Sequence, residues 1–266
     1  MPKLPLITIS CTASSDTILQ KARALAKKLG LDFCDKKQCR NRYILTYTDE
    51  HLELGVNEQL ENCKEKHSPL FVDFIHGNAG YRHARNCTIK QPLARAVGIK
   101  SGFRPDIFDA TAGLGGDGFV LACLGSNVIL NERSPIIGAL LEDAMQRGLQ
   151  AQNATSEVIQ KRMTLLLGDA KENIKHLTSP PYTVYLDPMY PHSKKSALNK
   201  KEMRMIRDIV GDDDDSEELL ETALRYAGNR VVVKRPKGAE RLNSKNPSHV
   251  IEMKNSRFDV YMINHL

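Results

Sequence analysis

The sequence predicts an α/β protein built around a mostly parallel β-sheet that helices cover on both faces. From about residue 91 onward, short apolar segments alternate with segments whose apolar residues recur at helical spacing. A glycine-rich turn, GLGGDG at 113–118, stands between one predicted strand and the next helix. Alternation of strands and helices is typical of parallel sheets, whose two faces are both buried.

The first part of the chain predicts a separate small α/β domain, residues 1–80, followed by a larger domain, residues 81–266. The segment 14–30 begins with serine and aspartate cap candidates and ends on a glycine, which predicts a helix. Strand-like segments precede and follow this helix. They are 6–10, 43–48, 51–56 and 70–76. The segments 43–48 and 51–56 predict a hairpin.

Each element of the larger domain has its own signal in the sequence. Apolar runs that end at turn or acidic residues predict strands at 106–111, 127–132, 163–169, 182–188, 229–236 and 257–263. Helical spacing predicts helices at 91–97, 117–125, 134–150 and 216–228. Pro135 falls in the first turn of one helix and Gly125 ends another, which are the usual places for these residues.

Composition predicts a folded protein of the cytoplasm. Hydrophobic residues make up 41% of the chain and charged residues 26%, which is ordinary for a globular protein. The first residues lack the apolar core and cleavage site of a secretion signal. Since no segment approaches the ~20 apolar residues needed to cross a bilayer, no membrane partner is predicted.

The six cysteines predict neither a metal site nor a disulfide framework. They are scattered without any C-x-x-C pair, so zinc binding is not expected. Disulfides do not suit a cytoplasmic chain of this size. We therefore predict free thiols.

Positive charge is concentrated in three segments, 82–85, 194–207 and 234–241, within a net charge of +6. Clustered cations are an electrostatic footprint for a polyanion such as nucleic acid. Solvated surface would explain any single cluster equally well, so only convergence of the three on one site would favour RNA or DNA.

The glycine-rich turn predicts a cofactor site. Gly113, Gly115 and Gly118 satisfy G-x-G-x-x-G between a strand and a helix, which allows a flat ligand to approach the backbone. Glu132 ends the next strand, at the distance where an acidic side chain meets a ribose diol. Two ligand classes share this arrangement: dinucleotides, which carry a pyrophosphate, and S-adenosylmethionine, which carries a cationic sulfonium.

Acidic residues around the turn favour the sulfonium ligand. Asp109 and Asp117 flank the glycines, and carboxylates this close would repel a pyrophosphate by on the order of 1 kcal/mol or more. The same carboxylates suit an ammonium and a sulfonium. Asp169, at the tip of the third strand, could accept a hydrogen bond from an adenine amine.

The segment DPMYPH at 187–192 follows the fourth predicted strand of the larger domain and predicts the catalytic residues. Asp187 would accept an N–H of an aromatic amine and draw its lone pair toward an electrophile. Pro188 keeps the backbone out of a helix, and Tyr190 offers a face for stacking a base. A part for His192 in proton removal stays open.

Five segments together resemble the bacterial RsmJ family (also called YhiQ), methyltransferases that modify a guanine of small-subunit ribosomal RNA at its exocyclic N2. They are DATAGLGGDGFVLACLG, NERSP, YLDPMYPH, KSALNKKEMR and RVVVKRP. The resemblance spans roughly residues 70 to 236.

The resemblance implies a class I S-adenosylmethionine-dependent methyltransferase fold, Rossmann-like, with a mostly parallel seven-stranded sheet and a small N-terminal α/β domain. It implies S-adenosylmethionine as the cofactor and small-subunit ribosomal RNA as the partner. Matching positions imply cofactor contacts at Gly116, Asp117, Glu132, Arg133, Asp169, Ala170 and Asp187. They imply catalytic roles for Asp187 and Tyr190.

Three alternatives stay open from the residues alone. An Asp-Pro-x-Tyr motif also serves adenine N6 and protein amides, so the accepting amine is not determined by it. A nicotinamide-dependent oxidoreductase could use the same glycine motif. A non-catalytic RNA-binding protein would bind RNA in a salt-sensitive way without responding to the cofactor.

Overall fold

The computed structural model describes residues 7–60, 68–76, 88–189, 199–211 and 215–263. Within these ranges the strands are β1 Ile7–Cys11, β2 Tyr43–Tyr47, β3 Leu52–Val56, β4 Ile107–Asp109, β5 Val128–Glu132, β6 Met163–Leu167, β7 Thr183–Leu186, β8 Arg230–Pro236, β9 His249–Glu252 and β10 Ser256–Met262. The α-helices are α1 Asp16–Leu29, α2 Pro92–Val97, α3 Gly116–Cys123, α4 Pro135–Gln150, α5 Ala154–Arg162, α6 Ala170–Asn173, α7 Asn199–Val210 and α8 Ser216–Tyr226. None of these helices is long and apolar enough to cross a membrane.

The larger sheet confirms the predicted class I fold. Its strands, as far as the structure describes them, lie in the order β6-β5-β4-β7-β8-β10-β9. The first five are parallel, and β10 runs antiparallel to both of its neighbours. The chain proceeds outward from β4 in one direction and then from β7 in the other, so the carboxyl ends of these two strands flank a topological switch point, where ligands bind in such sheets.

The smaller sheet has the order β1-β2-β3 and confirms most of the N-terminal predictions. β1 pairs with β2 in parallel, β2 and β3 form the predicted antiparallel hairpin, and α1 crosses between the first two strands. The strand predicted at 70–76 was wrong. Leu70 makes one isolated bridge with Leu54, and the Asp73 side chain then accepts the N–H groups of Ile75 and His76, which turns the backbone away from a strand.

The smaller sheet packs against α4 and α7 of the larger unit. The N–H of Leu52 donates to Asp143 Oδ2 at 3.1 Å, and Lys28 pairs with Glu142 at 2.9 Å. The Tyr43 hydroxyl donates to Asp208 on α7. Buried side chains of both units belong to one hydrophobic cluster. Division of the chain into residues 1–80 and 81–266 stays a prediction.

Other features also departed from the sequence-based expectations or were missed by them. The elements α5, α6, α7 and β9 were not predicted, and α7 includes part of the basic segment 194–207. The expectation of free thiols was wrong for Cys34 and Cys39, which form a disulfide with Cα atoms 6.0 Å apart. A turn between them, in which the Gln38 N–H donates to the Asp35 carbonyl, brings the two together.

Candidate active site

A cavity of about 330 Å³ lies at the carboxyl edge of the larger sheet, where β4, β5, β7 and β8 meet. This volume falls in the range of small-molecule sites. All the residues predicted to contact the cofactor line it: Gly116, Asp117, Glu132, Arg133, Asp169, Ala170 and Asp187. Tyr190 and His192 lie outside the described residues, as does the basic segment 82–85.

The glycine turn lines the cavity. At two of its glycines a side chain would clash with neighbouring residues. Gly115 has a φ of 74°, and a Cβ there would lie 2.8 Å from the Leu141 side chain. A Cβ on Gly118 would lie 2.2 Å from Leu130 Cδ2. Helix α3 can therefore pack directly on β5, which leaves its first turn exposed to the cavity.

Glu132 ties the glycine turn to the end of β5. Its Oε2 accepts the N–H of Gly113 at 2.9 Å, and its Oε1 accepts the N–H of Ser134 at 2.7 Å. The residue is only 6% exposed and lines the cavity. Two charge-assisted backbone bonds of this kind hold a carboxylate in one orientation, which is what recognition of a ribose diol requires.

The end of β6 is shaped by Asp169 and by Asn131, which sequence reasoning missed. Asp169 caps α6 by accepting the N–H of Lys171 at 2.8 Å. Asn131 donates to the Gly168 carbonyl at 2.9 Å and accepts from the Asn173 amide at 2.6 Å. The buried amide therefore fixes the turn that carries Asp169 to the cavity. The available signal in the sequence was an asparagine inside an apolar strand, which indicates a buried polar contact.

Arg133 takes part in an ion-pair network on the same side of the cavity. Its guanidinium lies 3.0 Å from Asp215, and Lys171 lies 2.8 Å from Asp215 and 3.0 Å from Glu218. The network joins the end of β5 to the start of α8. Its members are partly exposed, so its role is to position α8 along the cavity more than to stabilise the fold.

A cluster of acidic residues around one lysine occupies the other side of the cavity. Lys234 of β8 lies 2.8 Å from Asp117 and 2.8 Å from Asp187. The Tyr185 hydroxyl donates to the same Asp117 oxygen at 2.7 Å. Sequence reasoning placed the two carboxylates at this edge. It assigned no role to Tyr185 and counted Lys234 only as part of the basic segment 234–241.

Burial and neighbouring charges shift the pKa values of three groups of this cluster. Burial raises the pKa of the Asp109 carboxyl well above its ordinary value, and the charge of Asp117 raises it further. Burial likewise raises the pKa of the Tyr185 hydroxyl. Burial alone would lower the pKa of Lys234, but the charges of Asp187 and Asp117 more than offset this and raise it. The cluster therefore favours a protonated Asp109 beside a charged lysine.

The Asp109→Asn variant is expected to lose part of the pH dependence of folding. Unfolded Asp109 ionises near its ordinary value of 3.8, whereas the folded residue keeps its proton to higher pH. Its contribution to stability is therefore complete below pH 3.8 and is lost as the pH rises to the raised pKa. Urea unfolding should show the variant gaining stability relative to wild type as the pH is raised above 3.8. A stability difference between variant and wild type that does not change with pH would contradict this. So would the same pH-dependent change in the exposed Asp106→Asn control.

The start of the DPMYPH segment is held by the neighbouring strand. The backbone N–H of Asp187 donates to Thr111 Oγ1 at 2.6 Å, just past the end of β4. Asp187, Pro188 and Met189 line the cavity, together with Ile206 and Val210 of α7. Residues 187–189 thus form part of the cavity wall, and the predicted acceptor carboxylate lines the same space as the glycine turn.

Comparison with known proteins agrees with this geometry. The family model SAM_MT, described as "Putative SAM-dependent methyltransferase", matches residues 24–263. Curated proteins named ribosomal RNA small subunit methyltransferase J match at 50% identity in Desulfotalea psychrophila, over 95% of each chain, and at 46% in Thioalkalivibrio sulfidiphilus, over 96% of this chain and 97% of that one. The chain belongs to the ribosomal RNA small subunit methyltransferase J family.

A solved structure extends the likeness to three dimensions. The crystal structure of a SAM-dependent methyltransferase from Neisseria gonorrhoeae is 30% identical to the chain, with a TM-score of 0.72 over 96% of this chain and 95% of that one. Family membership confirms the predictions of a methyltransferase and of S-adenosylmethionine as its cofactor. The donor set fits that cofactor, because a carboxylate suited to a ribose diol and an acidic cluster suited to a sulfonium line one cavity.

Proposed function

We propose that this methyltransferase acts in the cytoplasm on small-subunit (16S) ribosomal RNA and methylates the exocyclic N2 of a guanine. The names of its relatives support the RNA substrate. The observation that carries the chemistry is that Asp187 lines the same cavity as the glycine turn and Glu132. A methyl donor and an accepting amine can therefore meet in one enclosed space.

The cofactor is proposed to lie along the edge from β4 to β6. Glu132 would accept hydrogen bonds from both ribose hydroxyls, and Asp169 with Ala170 would recognise the adenine. Gly116 and Asp117, at the start of α3, would face the methionine end of the cofactor. Arg133, held by Asp215, would line the adenine side through its backbone and the stem of its side chain.

Asp187 is proposed to organise the accepting amine. The lone pair of an aromatic amine is delocalised into its ring, so the amine is a poor nucleophile until its N–H groups are held by acceptors. The Asp187 carboxylate would accept one N–H, and a nearby backbone carbonyl of the segment would accept another. When bound, S-adenosylmethionine supplies an electrophilic methyl group and a leaving sulfur that departs as a neutral thioether. The new N–C bond replaces the S–C bond, and the nitrogen then releases one proton.

The target base is proposed to leave its stack and enter the cavity beside Asp187. Tyr190 would stack on it, a role that stays a prediction. Basic residues on the same side would hold RNA phosphates with an affinity that falls as salt rises. Of these, Arg204, Lys237 and Arg241 are exposed.

Methylation of defined substrates tests the proposal. The protein would be incubated with methyl-labelled cofactor and either purified small-subunit RNA or assembled small subunits, and the digested nucleosides would be identified by mass spectrometry. N2-methylguanosine is the expected product, and the better of the two substrates shows which form is recognised. N6-methyladenosine or methylated protein amide would overturn the guanine assignment, and absence of label in every substrate would overturn the RNA assignment.

A further inference from the structure

Lys234 joins the two halves of the cavity. Its ammonium lies 2.8 Å from Asp117, which belongs to the cofactor side at the start of α3. It lies at the same distance, 2.8 Å, from Asp187, which belongs to the acceptor side after β7. The lysine side chain is 30% exposed and lines the cavity. One cation therefore bridges two carboxylates that have different proposed tasks.

Titratable groups from three other elements surround this bridge. Beside Asp117 of α3 and Asp187 after β7, the Tyr185 hydroxyl of β7 bonds Asp117 at 2.7 Å. Asp109 of β4 lies close enough to interact with Asp117, Asp187 and Lys234 through its charge, and is 2% exposed. Because the side chains come from separate elements and are mostly enclosed, the bridge has one defined geometry.

We propose that Lys234 is a positioning residue for methyl transfer, which holds the Asp187 carboxylate ionised and oriented toward the accepting amine. The proposal rests on the proposed function, since it acts through the role of Asp187. Lys234 itself does not remove the proton released by the nitrogen, because its side chain is already a protonated ammonium paired with two carboxylates.

Electrostatics and orientation both support this role. Two carboxylates enclosed in one site repel each other, and without a cation one of them takes up a proton. A protonated Asp187 would carry an O–H donor, whereas the N–H of the amine needs an acceptor. A bridging ammonium also restricts rotation of the carboxylate, and small errors in the position of a reacting group can cost about 100-fold in rate.

Replacing Lys234 tests the proposal by kinetics. The Lys234→Met variant is expected to lower kcat about 100-fold with little change in the KM for the cofactor. The acid limb of its pH–rate profile should move to higher pH, because Asp187 and Asp117 then lose the positive charge that Lys234 places between them. Lys234→Arg should restore part of the rate. The matched control is Lys161→Met on α5, an exposed lysine paired with Glu157 at the opposite edge of the sheet.

A double-mutant cycle shows whether Lys234 acts through Asp187. In an Asp187→Asn background, Lys234→Met is expected to cost little further rate, since the group that it positions is already gone. Multiplicative losses would overturn the proposal, as would a Lys234→Met variant with wild-type kcat and an unchanged pH profile.

Folding and the proposed function have separate readouts. Stabilisation of each variant by S-adenosylhomocysteine in a heat-unfolding assay reports an intact cofactor site without any RNA. If both Lys234→Met and Lys234→Gln lose this stabilisation, the lysine is structural and the positioning role is wrong. If the wild-type protein does not methylate guanine but methylates another amine, the proposed function fails, and the same variants measured on that amine still decide the role of Lys234.

Discussion

The Asp187→Asn variant is expected to lower the rate of methyl transfer about 1,000-fold while cofactor binding persists. The asparagine amide would present N–H donors to an amine whose own N–H groups need acceptors. The backbone bond from Asp187 to Thr111 does not involve the carboxylate and is retained. The change therefore removes the acceptor and leaves the wall of the cavity in place.

The decisive measurement compares single-turnover methylation with S-adenosylhomocysteine binding by calorimetry for the same variant. Asp106→Asn is the matched control, because Asp106 is exposed and stands just before β4, at the opposite edge of the sheet. Methylation at the wild-type rate with bound cofactor would show that Asp187 does not organise the amine. Loss of cofactor affinity equal to the loss of rate would assign Asp187 to cofactor binding alone.

The Glu132→Gln variant is expected to weaken S-adenosylhomocysteine binding about 100-fold, equal to about 2.7 kcal/mol. Both oxygens of Glu132 accept backbone N–H groups, from Gly113 and from Ser134. A glutamine has one oxygen, so its NH₂ group would face one of these donors inside a site that is only 6% exposed. The glycine turn would move, and the ribose would lose a charged acceptor.

Calorimetric titration with S-adenosylhomocysteine measures this effect, and heat unfolding of the free variant shows how much of it comes from the turn. Glu157→Gln on α5 is the control, since Glu157 is 70% exposed and pairs with Lys161 within its own helix. Wild-type affinity in Glu132→Gln would show that the carboxylate does not contact the cofactor.

Much of the site could be predicted because its residues stand where local patterns end. The glycine turn follows a recognisable strand, and Glu132, Asp169 and Asp187 each come directly after an apolar run. Since parallel strands place their carboxyl ends at the same edge of a sheet, these positions were expected to share one cavity. The structure brings all of them to its lining.

Two other features were not predicted, for different physical reasons. The 70–76 segment has a strand-like pattern, but the Asp73 side chain captures the backbone N–H groups that follow it. No helix was predicted in the basic segment 194–207, yet buried Met205, Ile206 and Ile209 hold residues 199–210 as a helix against the core. A local side-chain hydrogen bond decided the first case, and burial against the core decided the second.

The sequence by itself determined most of the strands and helices, the glycine turn and the acids at the strand ends, because these are properties of neighbouring residues. Only the tertiary structure decided that Lys234 lies between Asp117 and Asp187. In the sequence, Lys234 follows an apolar run and begins the basic segment 234–241. Its role arises because the order of the sheet places β8 beside β7, so that an ammonium and two carboxylates from distant segments share one enclosed space where their charges interact strongly.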